Sequence, residues 1–223
     1  MKYYPVCLDI RNRDCLVVGG GAVAHRKVKT LLECGANVTV VSPAFASEME
    51  GMDTENLRMI RRPYAPSDVK GRFLVIGATD DEAENRKISR DAEDNNVLCN
   101  IADLPDACNF ILPSIVKRGD LLLAISTCGN SPAFAKHLRK NLEKAFGEEY
   151  TEFLQLMGAV RKKLLETRHA PEEHKPLFEA LINQGLLEMV KEKKTKEINQ
   201  LLYDTVGDIL GDSCDYEKLM ECE

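Results

Sequence analysis

The strongest constraint on this chain's fold is a break at residue 19. Residues 15–18, Cys-Leu-Val-Val, form an unbroken apolar run of the kind buried on both faces of a parallel sheet. The run ends in Gly19-Gly20-Gly21, and a helical pattern starts at once. Ala24, Val28, Leu31 and Leu32 share one face of it, and Gly35 is its stop. Strand, glycine turn and helix in that order make the first step of a dinucleotide-binding fold. In Gly19-x-Gly21-x-x-Ala24, Gly19 permits a tight turn and Gly21 lets the backbone approach a pyrophosphate. Ala24 is small enough for the helix to pack against the strand. The helix N-terminus then offers free N–H groups and a positive dipole end to phosphates.

The alternation continues. Residues 37–41 read as a second strand closed by Ser42-Pro43, Leu57 to Ile60 as a weaker third, and Phe73 to Ala78 as a strong fourth. A helix from about Asp81 to Asn95 precedes a fifth strand, Val97 to Ala102. Strands alternating with helices imply a parallel sheet with right-handed crossovers. The pattern then changes. Phe110 to Val116 and Leu121 to Ser126 read as a hairpin around Lys117-Arg118-Gly119-Asp120. Ser131-Pro132 supplies an N-cap and first-turn proline for a helix to about Phe146. Residues 148–210 are helical, with breaks near Ala170-Pro171 and Gly185. The expected architecture is α/β: a Rossmann-like domain over 1–112, a small β/α module over 113–146 and a helical C-terminal domain over 147–223.

A typical NAD site ends its second strand in Asp or Glu, which grips the ribose hydroxyls. Here that position reads Ser42-Pro43-Ala44, and no arginine follows until Arg58 to hold a 2′-phosphate. NAD rather than NADP is the expected cofactor. No apolar run approaches the ~20 residues that span a bilayer. Met1-Lys2-Tyr3-Tyr4-Pro5 lacks the apolar stretch of a signal peptide, so a cytoplasmic protein without membrane contact is expected. The eight cysteines include no Cys-x-x-Cys and the four histidines no His-x-x-x-His. Unpaired thiols and no permanent metal site follow. A net charge of −6 disfavours general nucleic-acid binding. The charge is uneven, however: residues 147–223 carry seven more acids than bases, and 113–146 four more bases than acids.

Seven segments over roughly residues 3–145 carry a family resemblance. They are Tyr4-Pro5-Val6, Cys15 through Ala24, Arg26-Lys27-Val28, Ala78-Thr79-Asp80-Asp81, Cys99-Asn100-Ile101-Ala102-Asp103, Phe110-Ile111-Leu112-Pro113-Ser114 and Ser126-Thr127-x-Gly129-x-Ser131-Pro132. In that order and spacing the chain resembles the precorrin-2 dehydrogenase/sirohydrochlorin ferrochelatase family, which includes the N-terminal half of bacterial sirohaem synthase. The tail resembles it only in being helical, and the methyltransferase half of fused sirohaem synthases is expected to be absent. The resemblance implies a central dimerisation module and hence a homodimer. It implies hydride transfer from precorrin-2 to NAD, giving sirohydrochlorin. Many members also insert Fe2+, which is then a substrate and not a resident cofactor; others are dehydrogenases only. By position it places nucleotide contacts at Ala22 and Val23 on the helix N-terminus and at Pro43 and Ala44, beside Gly19 and Gly21. It places the catalytic aspartate at Asp103, and Thr127 stands where some members carry a phosphorylated serine.

Read without the resemblance, Asp103 in Asp-Leu-Pro-Asp is either a turn former or a carboxylate at a strand's carboxyl end, where open α/β sheets bind ligands. In the second role it would take up the proton that hydride removal leaves behind. Arg26 and Lys27 read as first-turn residues, either solvated or facing a polycarboxylate substrate. Lys117, Arg118, Lys136, Arg139 and Lys140 present the same choice. An NAD-sensing regulatory module is the reading from a different class; it predicts no catalytic acid beside the cofactor, and the Asn100 to Asp103 and Phe110 to Ser114 motifs argue against it.

Overall fold

The computed structural model describes residues 1–167, 171–211 and 214–221. The chain divides into two compact units, Met1–Leu112 with Cys128–Asn130, and Pro113–Thr127 with Ser131–Glu223.

The first unit runs β1 (Asp14–Val18), α1 (Ala22–Glu33), β2 (Asn37–Ser42), α2 (Ser47–Glu50), β3 (Leu57–Arg61), β4 (Leu74–Gly77), α3 (Glu82–Asp94) and β5 (Leu98–Ile101). The five strands are parallel in the order β3-β2-β1-β4-β5. Chain order runs outward from β1 on one side and from β4 on the other. The crevice between those two strands is therefore the topological switch point. Side chains alternate across β1. Cys15 and Val17 join Val38, Val40, Leu74 and Ile76 under Ala24, Val28 and Leu31 of α1. Leu16 and Val18 join Val75, Cys99 and Ile101 under Ile88 and Ala92 of α3. Both sheet faces are thus buried, which is why β1 reads as a continuous apolar run. Each fully buried Leu, Ile or Val contributes roughly 1.5–3 kcal/mol.

Arg26 and Lys27 are the fifth and sixth residues of α1, so they occupy its second turn and not its first. The dipole penalty for cations in a first turn does not apply there. Among helices unforeseen from sequence are the four-residue α2 and a C-terminal turn described below.

The second unit begins with the antiparallel pair β6 (Ser114–Arg118) and β7 (Leu121–Ile125), joined at Gly119-Asp120. Gly119 adopts φ +53, which a tight hairpin favours. The first strand starts four residues later than the sequence pattern implies. The Phe110 carbonyl instead accepts from Asn100 Nδ2 at 3.1 Å, and Pro113 has no N–H to give a ladder. Helices α4 (Pro132–Ala145), α5 (Glu149–Glu166), α6 (Pro171–Asn183), α7 (Leu186–Lys191), α8 (Thr195–Leu210) and α9 (Tyr216–Met220) follow. Ser131 caps α4, its Oγ accepting from the Phe134 N–H at 3.2 Å. Gly185, at φ +82, separates α6 from α7 as expected. At the expected break near Ala170-Pro171, Ala170 lies outside the described residues. The helical core gathers Leu156, Val160, Leu181, Leu186, Ile198 and Leu202. No described helix is long and apolar enough to cross a membrane.

Candidate functional site

The glycine turn stays tied to the sheet on both sides. Gly19 N donates to the Val41 carbonyl at 3.0 Å, and Ala78 N donates to the Val18 carbonyl at 2.8 Å. The three glycines answer to different constraints. Gly19 has φ +122, and a Cβ there would lie 2.2 Å from the Ala78 carbonyl oxygen. A Cβ on Gly20 would lie 2.0 Å from the Ala44 carbonyl oxygen, whereas one on Gly21 would meet nothing within 4 Å. Gly21 is the N-cap of α1. No side chain caps that terminus and no acid lies in its first turn. Its N–H groups therefore face open space with a positive dipole end behind them.

Across from this turn, Ala46 N donates to the Gly20 carbonyl at 2.8 Å, and Ser42 Oγ donates to the Ala44 carbonyl at 2.6 Å. These bonds lock the loop after β2 against the glycine turn. The resulting cavity has a volume of about 630 Å³ and is lined by all six expected nucleotide contacts: Gly19, Gly21, Ala22, Val23, Pro43 and Ala44. Tyr64 is a further wall. Its hydroxyl donates to Asp91 at 2.8 Å, and burial together with that bond pushes the phenol well above its ordinary range. A dinucleotide fits this set, since uncapped amides, an unobstructed Gly21 and a wide apolar wall are what a pyrophosphate and its nucleosides need.

A second cavity, of about 310 Å³, shares Val23, Ala78, Thr79 and Asp80 with the first and adds Asp103. Asn85 shapes the shared wall. It is buried on α3, its Nδ2 donating to the Thr79 carbonyl at 2.9 Å and its Oδ1 accepting from the Thr79 hydroxyl at 3.0 Å. Asp103 follows β5, exposed and in the left-handed conformation at φ +60. Asp tolerates that region better than most residues. Ala102 N is tied to the Gly77 carbonyl at 2.8 Å, and the Cys108 sulfur accepts from the Ile101 N–H at 3.1 Å. The loop that presents Asp103 is thus fixed at its root. Burial lowers the Lys27 ammonium from its ordinary range, Arg26 adds to this, and the Asp103 carboxylate opposes it.

Sequence reasoning missed Gly20 and Asn85. A third consecutive glycine was the signal for the first. A polar residue in phase with Ile88 and Ala92 was the signal for the second. Arg61 corrects an expectation: counting along the chain finds no arginine near Ser42, yet the β2–β3 pairing sets Arg61 opposite it. The basic residues of the second unit divide. Arg118 is bonded to the Glu143 carbonyl and Glu148, and Arg139 to Glu143, while Lys117, Lys136 and Lys140 are exposed. Thr127 Oγ1 accepts from Ser131 N at 3.1 Å, a loop-closing role. Seven cysteines are free and Cys222 lies outside the described residues. Among the described residues no three His, Cys, Asp or Glu side chains gather as a metal site.

Residues 6–114 match a protein family described as "Putative NAD(P)-binding", and residues 118–145 one described as "Sirohaem biosynthesis protein central". The sirohaem synthase of Nitrosomonas eutropha is 36% identical over 213 residues, covering 93% of this chain and 44% of that protein. That of Citrobacter koseri is 34% identical over 203 residues, covering 90% of this chain and 44% of the relative. The chain spans less than half the length of these relatives. Among solved structures, SirC, a precorrin-2 dehydrogenase, superposes with a TM-score of 0.74 at 31% identity, covering 89% of this chain and 98% of that one.

Proposed function

This chain belongs to the precorrin-2 dehydrogenase family, and on that premise we propose that it oxidises precorrin-2 to sirohydrochlorin with NAD as oxidant. The observation that carries the reading is the shared wall: a cavity suited to a dinucleotide and a cavity bearing Asp103 meet at Val23, Ala78, Thr79 and Asp80. When bound, the nicotinamide ring supplies the hydride acceptor. Gly19, Gly21, Ala22 and Val23 hold the pyrophosphate, and Pro43 and Ala44 the adenosine side. Asp103 takes the proton that leaves the macrocycle as the hydride departs, and returns it to solvent, to which it is exposed. Lys27, a half-buried cation on α1, holds a substrate carboxylate.

Insertion of Fe2+ into the product is a second reading, favoured by the likeness to sirohaem synthases over nine-tenths of the chain. Iron is then a transient substrate, and Asp103 accepts protons from the pyrrole nitrogens. We propose further that the protein works as a homodimer through residues 113–146. The outward face of the hairpin supports this, because Ile115 and Leu122 on it are 40% and 47% exposed.

The decisive experiment mixes the protein with NAD and precorrin-2 and follows the sirohydrochlorin spectrum. Appearance of that spectrum, and its loss in Asp103→Asn, is the expected result. A folded protein that binds NAD yet leaves precorrin-2 unchanged would overturn the dehydrogenase reading. Added Fe2+ then converts the product spectrum only if the second reading holds.

A further inference from the structure

We infer that Glu50 and Arg61 together set the choice between NAD and NADP, an inference that rests on the nucleotide reading above. In folds of this kind the carboxyl end of β2 meets the adenosine ribose, and an acid there selects NAD while a nearby arginine accommodates a 2′-phosphate. Neither stands on β2 or in the loop that follows it. Ser42 ends the strand with its hydroxyl committed to the Ala44 carbonyl. Discrimination must then come from residues that the fold brings in from elsewhere.

Arg61 is such a residue. Strand pairing sets it opposite Ser42, and its guanidinium lies 5.2 Å from the centre of the Phe45 ring, which lines the nucleotide cavity. A planar guanidinium stacked on an aromatic wall is well suited to grip a phosphate with two parallel hydrogen bonds. Its neighbour Arg62 is not free to do so, because Asp68 holds it through contacts of 2.6 and 2.8 Å. Arg61 is itself held, Nη2 lying 2.5 Å from Glu50 Oε1. Glu50 is the last residue of α2, and that short helix starts from the loop whose Ala46 N–H is bonded to Gly20. The ion pair therefore lies against Phe45, a wall of the nucleotide cavity.

Glu50 acts against a 2′-phosphate twice. It occupies the cation that would bind the phosphate, and it offers a like charge to an incoming dianion. NAD, with a hydroxyl at that position, meets neither obstacle. The pair thus replaces the acid missing from the end of β2. Both side chains are about half exposed, so the pair can open when one partner is removed.

The test is calorimetric binding of NAD and of NADP to the intact protein, so it needs no tetrapyrrole. Wild type, Glu50→Gln, Arg61→Gln and the double variant are compared by the ratio of NADP to NAD dissociation constants. Glu50→Gln should lower that ratio about tenfold, the scale of one charge-assisted hydrogen bond. The double variant should restore most of it, because the freed arginine is then gone. An unchanged ratio in Glu50→Gln overturns the inference, as does an equal fall in the double variant, which would leave Arg61 no part. A wild-type protein that binds neither nucleotide overturns the underlying reading as well, and NAD binding with an unmoved ratio overturns the inference alone.

Discussion

Gly19 and Gly21 are two residues apart, yet substitution at each should fail in a different way. An alanine at Gly19 must hold φ +122 with its Cβ 2.2 Å from the Ala78 carbonyl oxygen. Gly19→Ala should lower unfolding stability by on the order of 3 kcal/mol in a denaturant titration. At Gly21 the space above the backbone is open, and Asp is a favourable N-cap residue. Gly21→Asp should therefore fold with stability within about 1 kcal/mol of wild type, yet bind NAD at least 100-fold more weakly, because its carboxylate takes the place of the pyrophosphate and repels it. Normal NAD affinity in the folded variant would remove the turn from the site. Asp103→Asn keeps size and most hydrogen bonding but removes basicity. The rate of precorrin-2 oxidation should fall roughly 10²–10⁴-fold, or about 3–5 kcal/mol of barrier, while NAD affinity holds. Full activity would return Asp103 to a turn-forming role, which its left-handed conformation also serves.

At the scale of elements, the site is as rigid as the loops that end its strands. Asp81 caps α3 by accepting from the N–H groups of Ala83 and Glu84 at 2.8 and 3.1 Å. Asp81→Ala should cost about 1 kcal/mol of stability and loosen the Thr79–Asp80 wall. After β3, Asp68 accepts two bonds from Arg62 and one from Ala65 N, and the Arg62 guanidinium holds its carboxyl below the usual range. A lowered folded-state pKa contributes stability that is present above the unfolded value, near pH 4, and lost as pH falls through the folded value. Wild type should accordingly lose stability more steeply between pH 5 and 3 than Asp68→Asn. That variant should already be weaker at pH 7 by about 1–3 kcal/mol, since Arg62 is left without its partner. Parallel acid profiles for the two proteins would show that the pair contributes nothing.

For the whole molecule, the hairpin is the element least able to stand alone. Two strands are marginal unless a face is covered. Val116 is buried on one face, while Ile115 and Leu122 lie uncovered on the other. Light scattering at micromolar concentration should give about twice the 25.0 kDa chain mass. Ile115→Glu combined with Leu122→Glu should return the single-chain value. A monomeric wild type would count decisively against the dimer.

What the sequence determined by itself is local. The parallel β/α alternation follows from apolar runs and helical periodicity, which act within one element and its neighbour. The turn at Gly19 and the cap at Ser131 are equally legible, because glycine and serine are the residue types that such a turn and such a cap favour. Tertiary structure decided the rest. Asn85 is recognisable as a wall support only once α3 lies against the β4 loop. Arg61 becomes a neighbour of Ser42 only through the β2–β3 ladder. The two cavities meet because β4 lies beside β1 in the sheet, although β2 and β3 intervene in the chain. Such contacts are set by strand order and register, which are fixed by burying both sheet faces at once and not by any pattern within a single segment.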